Sequence, residues 1–296
     1  MQAIGFYLTL PFLYLISLLP FPILYLFSDF IFVMVYYVIG YRKKVVTENL
    51  SKSFPQKSKK EIVKIREKFY HYLCDMSLEV LKTLSISSTS MVKHCSLDEK
   101  SILLMKQLYE GKKNCILVLG HIGNWEWGGN TFSLTCRQQL YVIYHPLENK
   151  YFNTFFIGMR TRFNTKLIEM KNTFRVMNEN KNEINATAFI ADQTPSLANA
   201  YWTTFLNQDT PVFWGTERIA RKLNYPIVFV NMQRIKRGYY KMTAEMICEN
   251  PSLTSDGEIS ELHTKKLEEY ILKEPETWLW SHRRWKHSRY GVFNII

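Results

Sequence analysis

The residues best equipped for chemistry stand close together: His121 and Glu126, within the string Gly120-His121-Ile122-Gly123-Asn124-Trp125-Glu126-Trp127-Gly128-Gly129. Imidazole changes charge near neutrality, so a positioned histidine is suited to general-base work. A carboxylate beside it can accept the proton of one ring nitrogen, fix the tautomer and stabilise the imidazolium that forms. The other nitrogen is then free to face a reactant. His121 and Glu126 are five positions apart, off any common face of a regular helix. They meet only if His121 lies in a turn and Glu126 in the first turns of the helix that follows. Gly120 and Gly123 permit such a turn. No serine or cysteine stands beside the histidine. The pattern therefore predicts that the proton comes from an acceptor's own hydroxyl, with direct group transfer and no covalent enzyme intermediate. A histidine that merely caps a helix would show the same spacing.

These side chains need a strand to deliver them. Residues 115–119 are a short apolar run ended by Gly120, which reads as a buried parallel strand, and a helix is expected from about Trp125. In open α/β sheets ligands gather at the carboxyl ends of strands. Further strands are expected at 140–144, 187–191, 226–231 and 239–246. Helical patterns lie between them near 151–161, 173–179, 213–223 and 258–272. Upstream, Ser58 and Glu61 have capping-box spacing before a helix reaching about Leu84, in which Ile62, Ile65, Phe69, Tyr72, Leu73 and Met76 recur at helical intervals. Residues 98–109 read as a second helix. The alternation predicts an α/β fold with a mostly parallel, helix-covered sheet. The sequence has no internal repeat and no glycine-rich phosphate loop.

The N-terminus is different in kind. Asp29 is the sole ionised side chain between Met1 and Arg42. A bilayer core needs about 20 apolar residues as helix, and residues 4–40 exceed that. Pro11, Pro20 and Pro22 interrupt the run, so the expectation is one transmembrane helix plus an interfacial or re-entrant piece. This divides the chain into a membrane anchor over 1–41 and a catalytic domain over 42–296. There is no basic leader region, which argues against a cleaved signal peptide. Arg42, Lys43 and Lys44 mark the cytoplasmic side. A net charge of +12 calls for an anionic partner. Nucleic acid is disfavoured, because no recognition signature is present and the apolar N-terminus would go unexplained; anionic lipid accounts for both. The five cysteines contain no C-x-x-C pair and read as reduced thiols, with no disulfide framework and no metal site.

Strand, glycine, histidine, four residues and an acid is similar to the signature of the glycerolipid (lysophospholipid) acyltransferase superfamily. The fuller Gly120-His121-x-Gly123-Asn124-Trp125-Glu126 resembles its branch of late-acting lipid A biosynthesis acyltransferases, the lauroyl and myristoyl transferases. Tyr41-Arg42 with Glu48-Asn49-Leu50 and Phe54-Pro55, and the string Trp278 through Lys286, resemble that family's segments in the same order. The resemblance implies a glycerol-3-phosphate acyltransferase-like fold at the inner membrane, its site facing the cytoplasm. The implied donor is an acyl thioester, usually on acyl carrier protein, the implied acceptor a lipid A precursor, and no cofactor is required. It further implies His121 and Glu126 as catalytic residues, a substrate-binding arginine at Arg160 with Arg162 as its rival, and an aspartate at Asp192 that holds Arg160 or orients a sugar. Gly123 and Asn124 enter as binding positions; for an oxyanion, the backbone amides near Gly123 and at the helix start are the candidate donors on chemical grounds. In the C-terminal string the tryptophans are expected to pack, while Arg283, Arg284 and Lys286 could meet phosphate or carrier protein. Acylation of a lysophospholipid or an amino-acid-containing lipid is the nearest alternative. A non-catalytic lipid-binding protein is another, and the intact histidine and acid speak against it.

Overall fold

Pro20 and Pro22 end one apolar helix and begin the next, as proline's missing amide and fixed φ dictate. In the computed structural model, which describes residues 2–289, α1 is Gln2–Leu18 and α2 is Phe21–Phe32. α2 runs on as a π-helical segment, Val33–Ile39, stopped by Gly40 at φ 67°. Together Phe21–Ile39 is, among the described residues, the one helix long and apolar enough to cross a membrane. Then come α3 (Lys43–Ser53) and α4 (Lys59–Lys82). α4 opens on the expected capping box, Ser58 and Glu61 each bonding the other's amide. α5 (Ser88–His94), β1 (Cys95–Leu97) and α6 (Glu99–Glu110) follow.

The α/β core alternates as the sequence predicts. β2 (Cys115–Leu119) leads to α7 (Trp125–Thr135), and β3 (Gln139–Tyr144) to α8 (Lys150–Thr161). β4 (Lys166–Glu169) leads to α9 (Thr173–Glu179), and β5 (Asn185–Ile190) to a hairpin of β6 (Ala200–Phe205) and β7 (Gln208–Phe213). α10 (Trp214–Leu223), β8 (Ile227–Lys236), β9 (Tyr239–Cys248) and α11 (Glu258–Lys273) complete it. Seven strands form one sheet in the order β1-β9-β8-β2-β5-β3-β4, and every neighbouring pair is parallel except β8–β9. The four strands that escaped the sequence reading are β1 and β4, which are short, and the β6–β7 pair, which forms a separate hairpin. β8 and β9 outrun their expected bounds because they pair with each other as a long hairpin.

Each central strand is buried on both faces. Ile116, Val118, Phe189 and Phe229 pack with Leu267, Ile271, Trp278 and Trp280 on one side. Their neighbours Leu117, Ala188, Val228 and Val230 pack with Met105, Leu108, Trp127 and Phe132 on the other. This is why these strands read as continuous apolar runs.

The N-terminal helices lie along this core. Lys82 Nζ donates to the carbonyls of Ser17 (2.6 Å) and Leu19 (2.7 Å) at the end of α1, and Phe6 near its start packs edge-on against Phe152 of α8. Tyr25, Ser28 and Tyr37 bond to Glu79, Asp75 and Glu67 along α4. Arg237, in the β8–β9 turn, joins Asp29 to Asp75. The opposite faces of the two helices expose Leu8, Phe12, Leu15, Leu26 and Phe30.

Candidate active site

β2 and β5 are adjacent, parallel and in register, with Leu119 opposite Ile190. The amide of Ala191 extends that ladder to the Leu119 carbonyl. Two residues past the end of each strand, His121 and Asp192 therefore meet. Asp192 Oδ1 lies 2.6 Å from His121 Nδ1, and Oδ2 accepts the His121 amide at 2.7 Å. The Trp278 indole donates to the same Oδ2 at 2.7 Å. Gly120 makes room for this: a Cβ there would come within 2.7 Å of Leu267 and 3.1 Å of the Asp192 carboxylate. Burial by itself would raise the pKa of Asp192. The neighbouring His121 and the hydrogen bonds from His121 and Trp278 outweigh it and hold the carboxyl at about 2. An ionised Asp192 assigns the proton of His121 to Nδ1 and leaves Nε2 as an acceptor, toward which Gln193 Nε2 points at 3.3 Å.

The acid on His121 is thus Asp192, and the contact between His121 and Glu126 expected from the sequence is replaced. Glu126, in the first turn of α7, turns instead to Arg160 on α8. Arg160 Nε meets both its oxygens (2.9 and 3.2 Å) and Nη2 meets Oε1 at 2.5 Å, a fork on a carboxylate. Nor does Asp192 hold Arg160. Burial favours the neutral guanidine, but the bonds and charge of Glu126 more than compensate and raise the Arg160 pKa.

The other expected positions are structural in this arrangement. Arg162 Nη1 donates to the carbonyls of Thr83 and Ile86, both at 2.5 Å, tying α8 to the end of α4. Asn124 is the N-cap of α7: its Oδ1 accepts the Trp127 amide at 3.1 Å. Gly123 has φ +59°, and its amide is already given to the Thr277 carbonyl. It is therefore no oxyanion donor. The amides of Trp125 and Glu126, at the open start of α7, have no acceptor among the described residues.

The tryptophan string is part of the site's frame. Ile122 bridges Trp278, and the His121 carbonyl accepts the Leu279 amide, so the C-terminal segment runs beside the His121 turn like a short strand. Trp278 and Trp280 are buried, as expected. Arg284 is buried too and bonds the Pro211 carbonyl, which removes it from contact with phosphate or carrier protein; Arg283 and Lys286 are exposed. Trp278 is the site residue the sequence reading missed. In the string alone its indole reads as packing, because the pairing that brings it to Asp192 is not encoded in local spacing.

His121, Glu126, Arg160 and Gln193 line one cavity of about 400 Å3, walled by Trp125, Val142, Phe156 and Ile157. His145 also lines it, its Nδ1 3.0 Å from the Pro146 carbonyl. A second, apolar space of about 180 Å3 adjoins it and shares Ile143, Met170 and Ile190. Histidine, arginine and open amides on an apolar chamber suit transfer of a greasy group to an oxygen nucleophile. All five cysteines are free, and among the described residues no cluster of His, Cys, Asp and Glu could hold a metal.

No curated protein matches the chain. The family model described as bacterial lipid A biosynthesis acyltransferase matches residues 1–287, which takes in the apolar helices, the His121 turn and the Trp278 segment alike, and the chain belongs to that family of acyltransferases.

Proposed function

We propose that this acyltransferase moves a fatty acyl chain from a thioester on acyl carrier protein to a hydroxyl of a lipid A precursor. His121 Nε2 takes the proton of the acceptor hydroxyl as its oxygen attacks the thioester carbonyl carbon. Asp192 keeps the imidazole in the reactive tautomer and stabilises the imidazolium. The carbonyl oxygen becomes an oxyanion, stabilised by Arg160 and by the open amides of Trp125 and Glu126. Glu126 orients Arg160. The tetrahedral intermediate expels the thiolate, which recovers the proton from His121, and the products are an ester and a free thiol. The observation that carries this reading is the Asp192–His121 pair at one wall of the cavity that also holds Arg160.

The apolar space that adjoins the cavity is suited to the acyl chain. The exposed faces of α1 and α2 would seat in the inner membrane, with Arg42, Lys43 and Lys44 at its anionic cytoplasmic surface. The test is transfer of labelled acyl chains from acyl carrier protein to a lipid A precursor by wild type and His121→Ala. Wild type should transfer, and the variant should be slower by ~10²–10⁴. A folded His121→Ala protein with wild-type turnover would sink the mechanism. Wild-type transfer to a lysophospholipid alone would overturn the acceptor.

A further inference from the structure

Glu79 takes no part in the chemistry above, yet it is a fully buried carboxylate with three donors aimed at it. Oε1 accepts the hydroxyl of Tyr25 at 3.0 Å. Oε2 accepts the hydroxyl of Tyr240 at 2.7 Å and Nδ2 of Asn124 at 2.9 Å. Its own carbonyl takes the Trp127 indole at 2.9 Å. Two of these partners belong to the start of α7, and one belongs to the apolar helix α2.

The Asn124 contact is the informative one. A side-chain amide has a fixed polarity, oxygen on one side and NH2 on the other. Asn124 caps α7 only when its oxygen faces the Trp127 amide. With the amide reversed, two N–H groups would face each other. Of the two ends of that amide, the Glu79 oxygen takes Nδ2 as its donor, which selects the capping orientation. The cap in turn sets where α7 begins, and the first turn of α7 carries Glu126 against Arg160 and Trp125 edge-on to His121. On the far side, Tyr25 is itself held. Arg237 lies over its ring at 4.7 Å, bonds its carbonyl, and pairs with Asp29 one turn on.

We propose that Glu79 is a positioning residue for acyl transfer, fixing the Asn124 cap of the catalytic helix and relaying to it, through Tyr25, the seating of the N-terminal apolar helix. The inference rests on the acyltransferase reading for its kinetic consequence; the cap itself can be probed without substrate.

The experiment uses the full chain in detergent or lipid vesicles, with acyl carrier protein thioester and a lipid A precursor as substrates. Asn124→Asp keeps the capping oxygen but sets a second carboxylate oxygen against Glu79. It should lower kcat by roughly 10- to 100-fold, the scale of a small misplacement of catalytic groups, leave KM in place, and speed amide exchange over residues 125–130. Adding Glu79→Gln restores a donor–acceptor pair with reversed polarity. The double variant should recover the kcat and exchange of Glu79→Gln alone to within about 2-fold, the usual width of additivity. Tyr25→Phe should lower kcat several-fold and speed the same exchange. A double variant no better than Asn124→Asp, or an Asn124→Asp protein with wild-type kcat and exchange, overturns the proposal. Wild-type behaviour of Tyr25→Phe in both measurements overturns the relay from the apolar helix. If wild type transfers no acyl group between these two substrates, the proposed donor and acceptor fail, while the exchange pattern still decides the cap.

Discussion

At the scale of single residues, the site is two carboxylate-held pairs, one a hydrogen-bonded histidine and the other a salt bridge. Asp192 holds His121, and Glu126 holds Arg160. Asp192→Asn would offer His121 an amide in place of an obligate acceptor and allow the wrong tautomer. It should cut kcat by ~10²–10⁴ with little change in KM, and a wild-type kcat in the folded variant would remove Asp192 from the mechanism. The two arginines separate as cleanly. Arg160→Ala should lose ~10²–10³ in kcat if its guanidinium meets the oxyanion. Arg162→Ala should keep turnover near wild type but lose ~1–2 kcal/mol of stability, because its bonds are to the Thr83 and Ile86 carbonyls. Turnover with denaturation midpoints checks both, and the opposite assignment of losses would make Arg162 the functional arginine. His121 and Glu126 were legible in the string because they flank a turn between strand and helix. Their partners were not. The local spacing brings His121 and Glu126 within a few residues of each other, but pairing is decided by which strand lies next to which, and β2–β5 adjacency brings in a residue 71 positions away.

At the scale of elements, the sequence disclosed what periodicity encodes and hid what register encodes. The capping box of α4, the buried strand β2 and the helix from Trp125 all stand where the pattern placed them. β4 is only four residues long, and Thr203, Thr204, Gln208 and Asp209 break up the β6–β7 hairpin, so neither leaves an apolar run or a clean alternation. The turn from β2 to α7 is the element under most constraint. Gly123 has a positive φ, and a Cβ there would run into the main chain of Met232 on β8. Gly123→Ala therefore meets both backbone strain and a backbone neighbour that cannot swing away. The expected cost is about 1–3 kcal/mol together with loss of turnover, since the same turn sets the distance from His121 to Asp192. Equal stability and turnover in the alanine variant, by denaturant titration and acyl transfer, would show that the turn can relax. Gly120 is constrained differently: a Cβ there would push aside the tip of the Leu267 side chain and press on the Asp192 carboxylate.

At the scale of the whole molecule, the division into an anchor and a separate catalytic domain leaves out how much of the surface of α4 the first helices cover; Leu24, Ser28, Phe32 and Tyr36 are buried against the fold. Global stability is also tied to pH through a group that the reaction does not use. His263, on α11, is buried; its Nε2 has no hydrogen-bond partner among the described residues, and it shares a small enclosed space with Asp192 and Arg284. Burial pushes its pKa down from 6.5 to about 4, with Asp192 opposing and Arg284 assisting. The folded pKa is the lower one, so between pH 6.5 and 4 the unfolded chain binds a proton that the native protein refuses. The stabilising contribution is therefore whole above pH 6.5 and is lost as pH falls toward 4, by up to about 3 kcal/mol. His282, lowered to about 4 by burial as its first cause, acts in the same window. Asp192 adds its own loss only below pH 3.8, as its carboxyl is protonated toward about 2. Urea midpoints of the detergent-solubilised chain should thus fall steadily from pH 7 to 4.5. His263→Gln cannot titrate, so it should remove a large part of that slope while His282 retains the remainder. An unchanged slope in His263→Gln would mean that His263 takes up its proton as readily in the native state as in the unfolded chain.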